Sequence, residues 1–73
     1  MTEIQIKLPP ESVSTFVKKT QDCDFNVDIA YDHLEIDAKS LLGILSLDLN
    51  KILHVKLFGH NEELEDYLHT LAI

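Results

Sequence analysis

The apolar residues of this chain follow two different periods, and the changes from one to the other divide it into short elements. In "DFNVDIAY" Phe25, Val27, Ile29 and Tyr31 alternate with Asn26, Asp28 and Ala30, the period of a strand with one buried face. "YDH" predicts a tight turn, and "LEID" a partner strand with Leu34 and Ile36 aligned. "EIQIK", Glu3 to Lys7, alternates in the same way and stops at Pro9 and Pro10, which have no N–H to pair. "KILHVKLF" alternates again, with Leu53, Val55 and Leu57 opposite His54, Lys56 and Phe58.

Between these stretches the period lengthens. From Pro10, Val13, Phe16, Val17 and Thr20 fall at i, i+3, i+4 and i+7, which predicts an amphipathic helix with proline in its first turn. Lys18 and Lys19 suit the negative end of that helix. "NEELEDYLHTLAI" opens on an Asn cap followed by acids, and Leu64, Tyr67, Leu68 and Leu71 repeat at helical spacing. Ser40 heads a third, shorter helix in the apolar segment Ala38 to Leu49. The order is β-α-β-β-α-β-α in a single domain, residues 1–73. One-faced strands and amphipathic helices in this order predict an α+β open-faced sandwich, a four-stranded antiparallel sheet with three helices on one face.

Seventy-three residues lie near the lower limit for folding on a hydrophobic core alone, and one cysteine, Cys23, closes no internal disulfide. A lone thiol fits a reducing compartment, and the N-terminus lacks the apolar run of a signal peptide. The expected location is the cytoplasm. Thirteen acids oppose six lysines, with no arginine, for a net charge of −7. That balance argues against nucleic acid and anionic membrane as partners, since both require clustered cations. The absence of arginine also removes the best bidentate grip on a phosphate.

The Ala38–Leu49 segment is the most unusual in the chain. Five of the seven positions from Leu41 to Leu47 are apolar, more than one buried helix face requires. Ile44 and Leu47 are expected inward, and the remainder outward as a protein-binding surface. A small domain wrapping this helix more completely, or a weak homodimer closing over it, are the alternatives to a surface for other proteins. Ser40 is expected to cap the helix, and Gly43 to permit close approach of a partner or of neighbouring backbone. Cys23 reads as a partly buried apolar residue near the end of the first helix.

His33, His54, His60 and His69 read as exposed polar residues, with no HxxxH or CxxC spacing. No metal, no cofactor and no enzymatic activity are expected.

The element order, together with "KSLLGILSL" from Lys39 to Leu47, resembles the HPr family, the phosphocarrier proteins of the bacterial sugar phosphotransferase system. The segment is similar to the family's Lys-Ser-hydrophobic-hydrophobic-Gly-hydrophobic-hydrophobic-Ser-Leu motif of Gram-positive bacteria. Family members carry a phosphoryl group on a histidine before the first helix, with an arginine close behind. In an ungapped alignment Pro9 stands in the histidine's place and Glu11 in the arginine's. The prolines remove backbone donors and Glu11 adds a charge that repels phosphate, so the resemblance implies a member without the catalytic histidine. His60 precedes the last helix, but Glu62, Glu63, Glu65 and Asp66 crowd that turn against a phosphoryl group.

The resemblance also implies a regulatory phosphorylation site at Ser40, with Lys39 as countercharge, and partner contacts at Leu41, Leu42 and Leu45. The implied partners are phosphotransferase components, HPr kinase/phosphorylase or a transcriptional repressor. The alternatives are an atypical phosphocarrier, and an HPr-fold domain recruited to an unrelated assembly.

Overall fold

The computed structural model describes all residues, Met1–Ile73, as an α+β sandwich. Its elements are β1 (Thr2–Ile6), α1 (Val13–Gln21), β2 (Val27–Tyr31), β3 (Leu34–Asp37), α2 (Leu41–Leu45), β4 (Leu53–Leu57) and α3 (Glu62–Leu71). The four strands form one sheet in the order β1-β4-β2-β3, antiparallel at every pairing. The last strand of the sequence therefore lies between the first and the second.

The boundaries differ from the sequence expectation where prolines and edges intervene. β1 ends at Ile6 rather than Lys7, and Leu8 continues the inward alternation as a buried residue outside the strand. The first helix does not start as an α-helix at Pro10. Residues Pro10–Ser12 form a 3₁₀ turn, closed by Ser12 N–H donating to Pro9 O at 2.9 Å, and the α-helix begins at Val13. Phe25 precedes β2 instead of opening it, and its ring lies where a side chain at Gly59 would stand. A Cβ on Gly59 would come within 2.4 Å of that ring, so the glycine lets the turn after β4 close onto Phe25.

Register aligns the two periods. Ile4, Val55, Ile29 and Ile36 form one row across all four strands on the inner face. Val13, Phe16, Val17 and Thr20 of α1, Ile44 of α2, and Leu64 and Leu68 of α3 are buried above them. Leu34 shares the inner face with Ile36, but β3 is an edge strand and Leu34 remains 43% exposed. Tyr67 and Leu71 are half-buried at the core margin, and Lys19 Nζ sits 5.2 Å from the centre of the Tyr67 ring.

Thr20 is the only buried polar residue. Its hydroxyl lies 2.8 Å from Val17 O and 3.1 Å from Ala38 O, so one proton is shared between α1 and the segment leading into α2. Beyond α3 the chain turns back along β1. Lys7 N–H donates to Leu71 O, Ile73 N–H donates to Gln5 O, and Ala72 bridges Ile6. The free edge of β1 is thereby covered at one end.

The opposite sheet face carries no helix. There Glu3, Lys56, Asp28 and Asp37 form one cross-strand row, and Gln5, His54, Ala30 and Glu35 the next. Lys56 Nζ donates to Glu35 at 2.7 Å, which raises the lysine pKa, and His54 Nδ1 is 3.1 Å from Glu3. Partial burial raises the Asp28 carboxyl above its ordinary range; Glu35 and Asp37 add to this and Lys56 opposes it.

A raised folded-state pKa means that the native protein binds the Asp28 proton more tightly than the unfolded chain does. Ionising Asp28 therefore costs stability, fully so at neutral pH and not at all below the unfolded-state value. Asp28→Asn is expected to raise the denaturation midpoint at pH 7, with the gain vanishing as pH falls below the ordinary aspartate range. Thr20→Val is expected to destabilise by about 1–2 kcal/mol in urea titrations, since its methyl leaves buried carbonyls short of a donor.

Candidate functional site

The sequence-expected site centres on α2, and the segment before it is held by polar contacts rather than by helix length. Asp37 starts a tight turn, its Oδ1 accepting from Lys39 N–H at 2.9 Å and its carbonyl from Ser40 N–H at 3.1 Å. The Lys39 carbonyl accepts from Gln21 Nε2 at 2.9 Å, and Lys39 Nζ donates to Cys23 O at 2.8 Å. Both contacts join this turn to the end of α1. The Lys39 ammonium thus points to α1 and does not stand over Ser40 as a countercharge.

Ser40 is extended, with φ −96° and ψ 109°, and its Oγ accepts from Gly43 N–H at 3.1 Å. This is the expected N-cap. α2 itself is one turn and a fraction, Leu41–Leu45, so the dipole available to attract a phosphate at Ser40 is small. Ser46 ends it, with its N–H reaching Leu42 O and Gly43 O and its hydroxyl donating to Gly43 O. Leu47 lies beyond the helix and is buried, and Asp48 N–H donates to the Tyr31 hydroxyl at 3.1 Å. Lys7 Nζ donates to Asn50 O at 2.6 Å and fixes the outgoing loop against the end of β1.

At about 100° per residue, Gly43 and Ile44 share one side of this helix and Leu41, Leu42 and Leu45 the other. Ile44 is fully buried, whereas Leu41, Leu42 and Leu45 are 43%, 81% and 57% exposed. The inward and outward assignments of Ile44, Leu47 and the excess leucines therefore hold. Within the chain, Gly43 approaches side chains rather than neighbouring backbone. A Cβ there would lie 3.2 Å from Ile36 Cδ1 and 3.2 Å from Ser40 Oγ, so the glycine seats α2 on β3 and keeps its cap open.

Pro9 and Glu11 lie at the entry to α1. Pro9 is extended, with φ −62° and ψ 143°, and Glu11 is exposed in the 3₁₀ turn. The four histidines stay apart. His33 is exposed in the β2–β3 turn, where Asp32 takes a φ of 53°, and His69 is exposed near the end of α3. His54 is half-buried beside Glu3, rather than fully exposed. His60 Nδ1 lies 2.8 Å from Glu65 Oε2, an oxygen shielded from solvent that forms no well-oriented hydrogen bond despite this proximity. A phosphoryl group on His60 would meet that carboxylate. No group of three or more His, Cys, Asp or Glu side chains is placed to hold a metal ion, and no helix is long and apolar enough to cross a membrane.

Cys23 is buried just past α1, its thiol pKa raised by burial against the opposing influence of Lys39, with Asp24, Asp22 and Glu63 adding to the rise. Period and spacing located the leucines and the cap. The Lys39–Cys23, Tyr31–Asp48 and Lys7–Asn50 contacts were not legible, since each joins residues far apart in sequence through one atom pair. The chain matches no protein-family model and no curated protein.

Removing the cap and the buried anchor should have different costs from removing an outward leucine. Ser40→Ala is expected to destabilise by about 1 kcal/mol, and Ile44→Ala by about 2–5 kcal/mol. Leu42→Ser is expected to stay within about 0.5 kcal/mol of the parent in thermal and urea unfolding, being largely solvated already.

Proposed function

We propose that this protein is an HPr-like regulatory module linked to the phosphoenolpyruvate-dependent sugar phosphotransferase system, acting through protein contacts rather than as a histidine phosphocarrier or an enzyme. In this reading Leu41, Leu42 and Leu45 form the docking surface and Ser40 is the residue modified by a kinase. The observation that carries it is the exposure of those leucines beside the Ser40 cap, on a helix whose inner side is already satisfied by Ile44. An exposed apolar cluster on a small globule is a common mark of an interaction site. The β-α-β-β-α-β-α order and the Lys39–Leu47 motif support the family link.

Two features support the loss of carrier chemistry. Pro9 and Pro10 supply no N–H to a phosphate at the head of α1, and Glu11 is the exposed charge there. His60, the histidine closest to a helix start, faces Glu65. Exposure to the phosphotransferase system's first enzyme with phosphoenolpyruvate is expected to leave all four histidines unmodified. Exposure to HPr kinase/phosphorylase with ATP is expected to place one phosphate on Ser40, read by mass spectrometry of the intact chain and its peptides. An acid-labile phosphate on any histidine would refute the non-carrier reading, and an unmodified Ser40 would remove the regulatory one.

A further inference from the structure

The geometry points to a second interaction surface, the open edge of β3, and to the partner it fits: an extended segment of another protein, alternating apolar residues with Lys or Arg, that adds a strand to the sheet. This inference does not depend on the reading of α2.

β3 is the outermost strand and pairs with β2 alone. The phase of that pairing is set by Ala38 N–H, which donates to Val27 O at 2.8 Å. Bonded pairs alternate along an antiparallel ladder, so Ile36 and Leu34 also turn their backbone groups toward β2. Glu35 and Asp37, at the positions between, turn theirs away from the sheet. Asp37 C=O is taken by Ser40 N–H. Glu35 N–H, Glu35 C=O and Asp37 N–H remain in line on an edge with no strand beside it, the pattern that an added strand completes. The other edge of the sheet differs, since Gln5 C=O and Lys7 N–H are bonded to Ile73 and Leu71.

The side chains of β3 decide what kind of strand fits. Leu34 and Ile36 face the helical layer, Leu34 43% exposed and Ile36 half-buried at the core margin. An added strand lays every second side chain beside them, and apolar residues there extend the core. Glu35 and Asp37 lie on the helix-free face and are exposed. Lys56 engages Glu35, whereas Asp37 stands opposite Asp28, so the outer row at this edge stays negative. The intervening side chains of the added strand meet those carboxylates, which favour Lys or Arg and repel Asp or Glu. β3 has no proline, glycine or lysine to blunt its edge, and the acidic pair is its only guard.

A second copy is the occupant which that guard turns away. A two-fold antiparallel pairing of β3 through the free groups of Glu35 sets this glutamate opposite its own counterpart, between chains that each carry −7.

The test uses the intact protein and short designed peptides: valine alternating with lysine, valine alternating with glutamate, and the valine–lysine sequence methylated at every backbone nitrogen. With the valine–lysine peptide at about ten times its dissociation constant, amide hydrogen exchange of Glu35 and Asp37 is expected to slow about tenfold. The other two peptides are expected to leave it unchanged. Glu35→Pro removes the outward N–H without removing a bond to β2, and is expected to weaken binding about three- to tenfold. Leu42→Ser is expected to leave binding unchanged, which separates this edge from α2. Equal protection by the valine–glutamate peptide would overturn the choice of a basic strand, and equal protection by the methylated peptide would overturn strand addition. Protection confined to β1, or none at all, would refute the inference. Protection of Glu35 and Asp37 that rises with protein concentration and needs no peptide would assign the edge to a second copy instead.

Discussion

β4 is the strand on which the rest of the structure depends. It pairs along its whole length with β1 on one side and shares four residue pairs with β2 on the other. Without it the sheet falls into a lone strand and a two-stranded hairpin, neither stable by itself in water. Its inward residues Leu53, Val55 and Leu57 are all fully buried, and Val55 sits between Ile4 and Ile29 in the row that spans the sheet. Joining Ile4 to Val55 closes most of the chain into a loop, an entropic cost that only the completed sheet and its helical cover offset. The core therefore forms as a unit, with no sub-assembly that buries the same residues.

The size of that core explains the form of α2. Isolated helices shorter than roughly 12–15 residues are marginal in water, and α2 has five residues. Its position is imposed from outside: by Ile44 in the core, by Gly43 against Ile36, and by bonds linking its flanks to α1, β2 and β1. A segment held at so many points cannot rotate Leu42 inward to reduce its exposure. Each inward position is already filled, so the outward leucines are a fixed property of the surface. Such pre-organisation lowers the ordering cost of any contact made there.

Much of this was legible in the residue pattern, and the reasons are local. Val13, Phe16, Val17 and Thr20 share a helix face whatever the tertiary arrangement, and the caps Ser40 and Asn61 act within three residues, where Oγ and Oδ1 reach Gly43 and Leu64 N–H. Strand order was not legible, because alternation assigns each strand an inner face without choosing its neighbour. Leu34 shows the same limit: its alternation is correct, but its place at the end of an edge strand leaves it partly uncovered. Proline moved the start of α1, since a chain leaving Pro9 in an extended conformation enters through a 3₁₀ turn before the α-helical bonds begin.

The same distinction separates the two ends of the candidate site. At the entry to α1 the relevant chemistry is a matter of residue type: prolines at 9 and 10 have no N–H to offer, and glutamate at 11 adds a negative charge there. At α2 residue type gives only the raw material. A run of leucines around a glycine could equally have been enclosed, and what leaves three of them outward is the seating of Ile44 in the core and of Gly43 against Ile36, with the helix held at both flanks. Lys39 makes the point from the other direction: adjacent in sequence to Ser40, it is directed elsewhere by the Cys23 carbonyl. Residue type alone thus describes the proline pair, whereas the helix has to be rebuilt from geometry: its cap serine and outward leucines stand where the pattern put them, and the Lys39 ammonium does not stand beside Ser40.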